Sequence, residues 1–84
     1  EQHYLEALGD AVAKIETFGP DALVVSLGLD TFIGDPYAAF GITTEGFGRI
    51  AAKINKLRKP SVVVQEGGYI CPELGDNLVS FLRG

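Results

Sequence analysis

The chain has 84 residues, a formal net charge of -4 and one cysteine, Cys71. This length allows one small domain with a modest core, and a single cysteine excludes an internal disulfide. The acidic balance provides no patch that would hold nucleic acid, and the apolar runs are far shorter than the roughly 20 residues that cross a membrane. We expect a cytoplasmic protein that binds neither nucleic acid nor membrane; whether it forms a homo-oligomer is left open.

The start of the chain is already helical in pattern, and the sequence contains no methionine. Both features favour the interpretation that residues 1–84 are a single fragment of a longer chain. Apolar residues recur every three or four positions from 4 to 18, which predicts an amphipathic helix. The pair Gly19-Pro20 then predicts the end of that helix, because glycine accepts a left-handed cap and proline cannot continue the ladder.

The middle of the chain predicts a strand, a long loop and a second helix. The continuous apolar run at 22–27 is typical of a strand that is covered on both faces of a parallel sheet. Residues 28–42 show no sustained period and predict a loop, a length at which loops usually carry function. Thr43 or Thr44 would cap the second helix, and Pro60 would close it.

The last third repeats this pattern. A buried strand is predicted at 61–65 and a short loop at 66–69, followed by a helix with Pro72 in its first turn. The predicted order is helix, strand, helix, strand, helix, which implies an α/β fold with two parallel strands. Because the carboxyl ends of parallel strands lie at one edge of the sheet, we expect the two loops to share one site.

Two aspartates stand in the first loop. Asp30 directly follows an apolar strand, and a strand-end carboxylate is a suitable ligand for Zn²⁺. The alternative role for Asp30 is a capping or turn-forming residue, and spacing alone leaves both open. Asp35 precedes Pro36, a common turn element, and is expected to accept hydrogen bonds from the backbone and hold the loop shape.

The second loop, Glu66-Gly67-Gly68-Tyr69, places a phenol after two glycines. A preorganised phenol can donate a hydrogen bond to a developing oxyanion. The alternative is a Tyr69 ring that packs on the rim of the sheet with its hydroxyl in water. The glycines also suggest a phosphate loop, but the spacing matches neither a dinucleotide fingerprint nor a phosphate-binding loop, and Glu66 beside them argues against an anion.

The two loops together resemble those of the acetylpolyamine amidohydrolase and histone deacetylase family. The similarity covers nearly the whole chain and is carried by the segments 18–32, 34–36, 40–44, 66–69 and 72–77. The resemblance implies a three-layer α/β/α arginase/deacetylase-like fold. Residues 1–84 would form its C-terminal portion.

The resemblance also implies roles for individual residues. In the family, two aspartates and a histidine hold one zinc ion, and the last aspartate corresponds to Asp30. Tyr69 corresponds to the catalytic tyrosine that polarises the amide carbonyl. Tyr37 corresponds to a substrate-binding position in the tunnel, and Gly67 and Gly68 shape its wall. The implied reaction is zinc-dependent hydrolysis of N-acetyl amides, either acetylpolyamine or acetyl-lysine.

Departures from the family pattern limit this expectation. Arginases place a second carboxylate where this chain has Phe32, which favours a single-zinc deacetylase. The Asp-x-His motif and the histidine pair of the family are absent, and His3 is the only histidine. One carboxylate cannot hold catalytic zinc tightly, so the fragment is expected to bind zinc weakly or not at all and to be inactive alone.

Other classes of function stay open. Two strands leave unpaired backbone groups at both edges, so the chain could be a non-catalytic α/β interaction module that associates through an exposed sheet edge. Binding of a small phosphate ligand is a third alternative. Cys71 could be a nucleophile, although without a nearby histidine it is expected to pack at the start of the last helix.

Overall fold

The computed structural model describes residues 1–35, 40–69 and 71–84. Their elements, in chain order, are α1 (Gln2–Phe18), β1 (Leu23–Leu27), a 3-10 turn (Leu29–Thr31), α2 (Thr44–Asn55), β2 (Ser61–Gln65) and α3 (Leu74–Arg83). The two strands are parallel, with Leu23 opposite Ser61 and Leu27 opposite Gln65. The predicted order of helices and strands is therefore confirmed. None of the helices in the described ranges is long and apolar enough to cross a membrane.

The first two helices have the predicted caps. Gly19 ends α1 with φ 72°, in the left-handed region that glycine adopts without strain, and its N–H donates to the carbonyl of Ile15. Thr43 begins α2, where its side-chain oxygen accepts a hydrogen bond of 3.0 Å from the N–H of Gly46. Thr44, the other candidate, instead donates to Asn77 Oδ1 at 2.7 Å.

The predictions that Pro60 closes the second helix and that Pro72 lies in the first turn of the third were wrong. The second helix ends at Asn55, ahead of Pro60, and the N–H groups of Leu57 and Arg58 then donate to the carbonyls three residues before them, those of Ile54 and Asn55. Arg58 has φ 51° and turns the chain toward β2. The third helix begins at Leu74 with Glu73 as its N-cap, so Pro72 lies before the first turn and not within it.

The core lies between the sheet and a single layer of helices. Its most deeply buried apolar side chains come from the first loop and from α2: Leu29, Ile42 and Phe47 are each 1% exposed or less. Leu5 of α1 and Phe81 of α3 belong to the same cluster. All three helices thus contribute to one core, on the side of the sheet toward which Val25 and Leu27 point.

The opposite face of the sheet is open. Val24 is 76% exposed, Val62 is 61% exposed and Val64 is 45% exposed. The prediction that both strands are covered on both faces is therefore wrong for the described residues, since their helices form only one layer. Apolar strands of this kind normally occur where helices cover both faces of a parallel sheet.

A polar cluster joins the start of the chain to α2. Glu1 Oε1 accepts hydrogen bonds from Thr43 N at 2.9 Å and from Thr43 Oγ1 at 2.7 Å. Glu1 Oε2 pairs with the guanidinium of Arg49 at 2.5 Å. The hydrogen bonds from the backbone and then the hydroxyl of Thr43 are the main causes that lower the pKa of Glu1 to about 2 from an ordinary 4.5; burial opposes them, and Arg49 adds a smaller lowering effect.

This cluster predicts an acid-sensitive contribution to stability. Between pH 4.5 and about 2 the unfolded chain takes up a proton on Glu1 that the folded chain does not. The stabilisation by Glu1 is therefore fully present above pH 4.5 and is lost as the pH falls toward 2. We expect Glu1→Gln to lower the urea concentration at the unfolding midpoint at neutral pH. The difference between the midpoints of wild type and variant should become smaller as the pH is lowered. Glu16→Gln, on the exposed face of α1, is the control, and a difference that does not change with pH would contradict the assignment.

Candidate active site at the strand ends

The loops that follow the two strands contact each other. The N–H of Glu66 donates to the carbonyl of Leu27 at 2.8 Å, which extends the ladder one step beyond the sheet. The N–H of Leu29 donates to the carbonyl of Gly67 at 3.4 Å. The expected juxtaposition of the two loops is thereby confirmed, and its cause is the parallel pairing of β1 with β2.

Asp30 lies in the 3-10 turn at the end of β1. The turn is held by Thr31, whose hydroxyl donates to the carbonyl of Gly28 at 3.0 Å, and by the N–H of Phe32, which donates to the carbonyl of Leu29 at 3.3 Å. Phe32 itself is buried, so the turn has a fixed base. Within the part of the chain that the structure describes, no hydrogen bond or ion pair is found on the Asp30 carboxylate, which leaves its oxygens available to a ligand.

Two glycines make room for the Asp30 carboxylate. A Cβ on Gly28 would lie 2.9 Å from Asp30 Oδ1, and a Cβ on Gly67 would lie 2.5 Å from Asp30 Cγ. Both distances are closer than real Cβ atoms come to other heavy atoms. Gly67 therefore contacts Asp30 directly, a role in addition to the expected one in a tunnel wall.

Gly67→Ala is expected to destabilise the protein by about 1 kcal/mol, the low end of overpacking effects, because the methyl group fits only if the Asp30 carboxylate moves and no hydrogen bond among the described residues holds that carboxylate. Gly75→Ala is the matched control. A Cβ at Gly75, in α3, meets nothing within 4 Å, so this change should be neutral or stabilise by up to about 1 kcal/mol. Urea unfolding of the two variants checks the prediction, and equal midpoints would contradict the close packing of Gly67 on Asp30.

Tyr69 ends the second loop and is tied to the first by its backbone. Its N–H donates to Asp35 Oδ2 at 3.0 Å, and the Asp35 side chain is only 6% exposed. Gly68, just before it, has φ 123°, a conformation that residues with a Cβ rarely adopt. The expected role of Asp35 as an acceptor for backbone N–H groups is confirmed. The Tyr69 side chain is 46% exposed, at the edge of the sheet where Asp30 also lies.

The remaining candidate residues lie elsewhere. Tyr37 falls outside the described residues. His3 is exposed on α1, and Cys71 is partly buried against the core, as expected for a packing residue. A depression lined by Val25, Val63 and Phe81 lies between the sheet and the helices, away from Asp30 and Tyr69.

Among the described residues, the set of side chains that could bind a metal is incomplete. Across residues 1–35, 40–69 and 71–84, no three His, Cys, Asp or Glu side chains form a group that could hold a metal ion. A catalytic zinc site uses three protein ligands. The hard oxygen donors of Asp30 and the space around them fit one such ligand, and the other two would have to come from residues outside this set.

A family model of the histone deacetylase domain matches residues 1–84. The chain belongs to the histone deacetylase family. It is 45% identical over 84 residues to an acetylpolyamine amidohydrolase from Burkholderia pseudomallei and 43% identical over 79 residues to one from Mycoplana ramosa. It is also 39% identical over 72 residues, 86% of its length, to histone deacetylase 8 from Xenopus laevis.

The crystal structure of the Burkholderia pseudomallei acetylpolyamine aminohydrolase is similar to this histone deacetylase family chain with a TM-score of 0.86 and 47% identity, over 92% of the chain. The fold is therefore that of the arginase/deacetylase proteins. The match covers 22% of the crystallised chain, and the alignments cover 25%, 23% and 22% of the three relatives. The chain thus spans about a quarter of the length of these relatives.

Sequence reasoning missed two contacts of this family member. The hydrogen bond from Tyr69 to Asp35 joins residues 34 positions apart, and the contact of Glu1 with Thr43 joins residues 42 positions apart. Neither has a local sequence signal, because a side chain that accepts from a remote backbone N–H belongs to no periodic pattern. The sequence indicated that Gly28 and Gly67 allow close approach, but not that the group close to both of them is the Asp30 side chain.

Proposed function

We propose that this chain supplies two active-site loops of a zinc-dependent deacetylase that hydrolyses the N-acetyl amide of an acetylpolyamine or of acetyl-lysine. The observation that carries the proposal is the packing of Gly67, from the tyrosine loop, against the carboxylate of Asp30. This contact brings a metal-type oxygen donor and a phenol-bearing loop to one sheet edge. Membership in the histone deacetylase family supports the same reaction.

Asp30 acts as one zinc ligand, held by the 3-10 turn and by the space that Gly28 and Gly67 leave. Zinc, when bound, polarises a carbonyl oxygen and lowers the pKa of water. The phenol O–H of Tyr69 donates a hydrogen bond to the oxyanion that develops on the amide carbonyl, and this bond strengthens as charge accumulates in the transition state. The resemblance to the family supports Tyr37, Gly67 and Gly68 as the substrate-binding positions of this proposal.

The proposal requires further residues. Two more zinc ligands and a general base have to join Asp30 and Tyr69, since the described residues contain no three-ligand group. The open sheet face of Val24, Val62 and Val64 is where the rest of a three-layer domain would pack. The chain alone is accordingly inactive in this account.

The test compares zinc-dependent hydrolysis of acetylpolyamine and acetyl-lysine substrates by the 84-residue chain and by the full-length protein. We expect turnover only from the full-length protein. Turnover by the short chain that disappears in Tyr69→Phe would mean that the missing ligands and base are supplied by a second copy or are not required. Absence of turnover from a folded, zinc-loaded full-length protein on both substrates would refute the proposed reaction.

A second candidate function is a non-catalytic interaction module, and the open sheet favours it. Each strand has only one neighbour, so one edge of β1 and one edge of β2 are unpaired within the described residues. Exposed edges and apolar faces promote association. Sedimentation of the chain at micromolar concentration discriminates: a dimer that Val62→Lys dissociates supports the module, whereas a monomer removes its support.

A further inference from the structure

We infer that Asp35 is a positioning residue that holds the backbone of Tyr69 in place for catalysis. The inference rests on the proposed function, because it matters for turnover only if Tyr69 acts on substrate. It assigns to Asp35 more than the maintenance of its own turn. Asp35 would act through the tyrosine loop, which lies at the same edge of the sheet.

The contact between Asp35 and Tyr69 is a hydrogen bond to a buried side chain. The Asp35 side chain is 6% exposed, and its Oδ2 accepts the N–H of Tyr69 at 3.0 Å. A hydrogen bond to an ionised acceptor is roughly twice as strong as a neutral one. A carboxylate that is buried costs free energy unless donors surround it, so its position here reflects the groups that it binds.

Asp35 stands on a rigid base. Its own N–H donates to the carbonyl of Phe32 at 3.1 Å, and Phe32 is 6% exposed. Ile33, which follows Phe32, donates its N–H to the carbonyl of Ile42 at 2.8 Å, and Ile42 is fully buried. The carboxylate is thus fixed relative to the core, and it fixes the position of the Tyr69 N–H that it binds.

The tyrosine loop needs such an anchor. Two successive glycines precede Tyr69, and glycine gives the chain more freedom than any other residue. Close to the end of β2, the loop is held by the 3.4 Å hydrogen bond from Leu29 N to the carbonyl of Gly67. The Tyr69 side chain is 46% exposed, so burial does not fix it. The hydrogen bond to Asp35 holds the other end of the loop, at Tyr69 itself.

The test is a double-mutant cycle in the full-length protein, with kcat and KM measured for Asp35→Ala, Asp35→Asn, Tyr69→Phe and Asp35→Ala combined with Tyr69→Phe. A displacement of about 1 Å can lower a rate about 10²-fold, so we expect a loss of this size in kcat for Asp35→Ala, with KM changed less than about threefold. Asp35→Asn keeps an acceptor oxygen and should recover about tenfold of that loss. Asp21→Ala, an exposed aspartate at the start of β1, should have no effect.

The cycle separates positioning from general stability. If Asp35 acts through the phenol, Asp35→Ala costs less than about twofold in a Tyr69→Phe background. Equal losses in both backgrounds, or wild-type turnover in Asp35→Ala, would overturn the inference. If Tyr69→Phe keeps full turnover, the role of Tyr69 in the proposed function fails, and with it the catalytic part of this inference.

Amide hydrogen exchange gives a readout that needs no turnover and still applies if Asp35→Ala is too unstable to assay. Asp35→Asn replaces the carboxylate with a weaker, neutral acceptor, so we expect exchange of the Tyr69 amide to accelerate about tenfold, less than in Asp35→Ala, while amides within β1 keep their protection. Unchanged exchange at Tyr69 would overturn the anchor. Accelerated exchange at Tyr69 together with an active Tyr69→Phe variant would support the anchor and locate the failure in the proposed function.

Discussion

Asp30→Ala in the full-length protein is expected to abolish zinc-dependent deacetylation and to lower zinc affinity by at least about 100-fold. Loss of a partner that only orients a ligand already costs about 10–100-fold, and Asp30 is proposed as a ligand itself. Bound zinc per protein after dialysis and turnover at saturating zinc together check this expectation.

The control for Asp30→Ala is Asp21→Ala, which removes an exposed carboxylate at the opposite end of the same strand. It should leave zinc content and turnover unchanged. Normal zinc content and normal turnover in Asp30→Ala would return Asp30 to its alternative role as a turn-forming residue.

Tyr69→Phe is expected to lower kcat by about 10²–10³-fold, because loss of one oxyanion donor has an effect of this size in other acyl-transfer enzymes. KM should change little, since the phenol is proposed to bind charge that develops after substrate is bound. Zinc content should stay at the wild-type level, which distinguishes this variant from Asp30→Ala. The measurement is steady-state kinetics on an acetylpolyamine substrate.

A control for Tyr69→Phe is Tyr4→Phe, on α1, where the ring packs edge-on against Phe40 with centroids 5.7 Å apart. It should retain turnover. If Tyr69→Phe instead raised KM with kcat unchanged, Tyr69 would contribute to uniform binding of substrate and not to stabilisation of the oxyanion.

Local sequence signals predicted most of the fold. The period of α1, the left-handed cap at Gly19 and the Thr43 cap depend on neighbouring residues alone, and all three are found in the structure. Proline was a less accurate marker. Pro60 and Pro72 exclude a helix interior, but they do not determine how far away the helix ends, and here that is decided by the turn at Arg58 and by the Glu73 cap.

The apolar pattern of the strands predicted more burial than these residues provide. Valines such as Val24 and Val62 are typical of strands with helices on both faces of the sheet. Here both side chains are exposed, because the described helices cover only one face. The relatives that this chain matches are about four times as long, and apolar strands of this kind are typical of parallel sheets with helices on both faces.

For the candidate site, the sequence was sufficient to bring the two loops together but not to define their contacts. Parallel pairing of neighbouring strands requires that Asp30 and Tyr69 follow adjacent strand ends. The packing of Gly67 on Asp30 and the hydrogen bond from Tyr69 N to Asp35 depend on side-chain placement across 34 or more residues, which no spacing rule records.

The most direct test of the central claim is a graft. The segment of the Burkholderia pseudomallei acetylpolyamine amidohydrolase that aligns with this chain, a quarter of that protein, would be replaced by the 84 residues. If the loops of this chain supply a zinc ligand and an oxyanion donor, the chimera hydrolyses acetylpolyamine with zinc, Asp30→Ala removes that activity, and Tyr69→Phe lowers it about 10²–10³-fold. A folded chimera that is inactive, or one that stays active after both changes, would contradict the account.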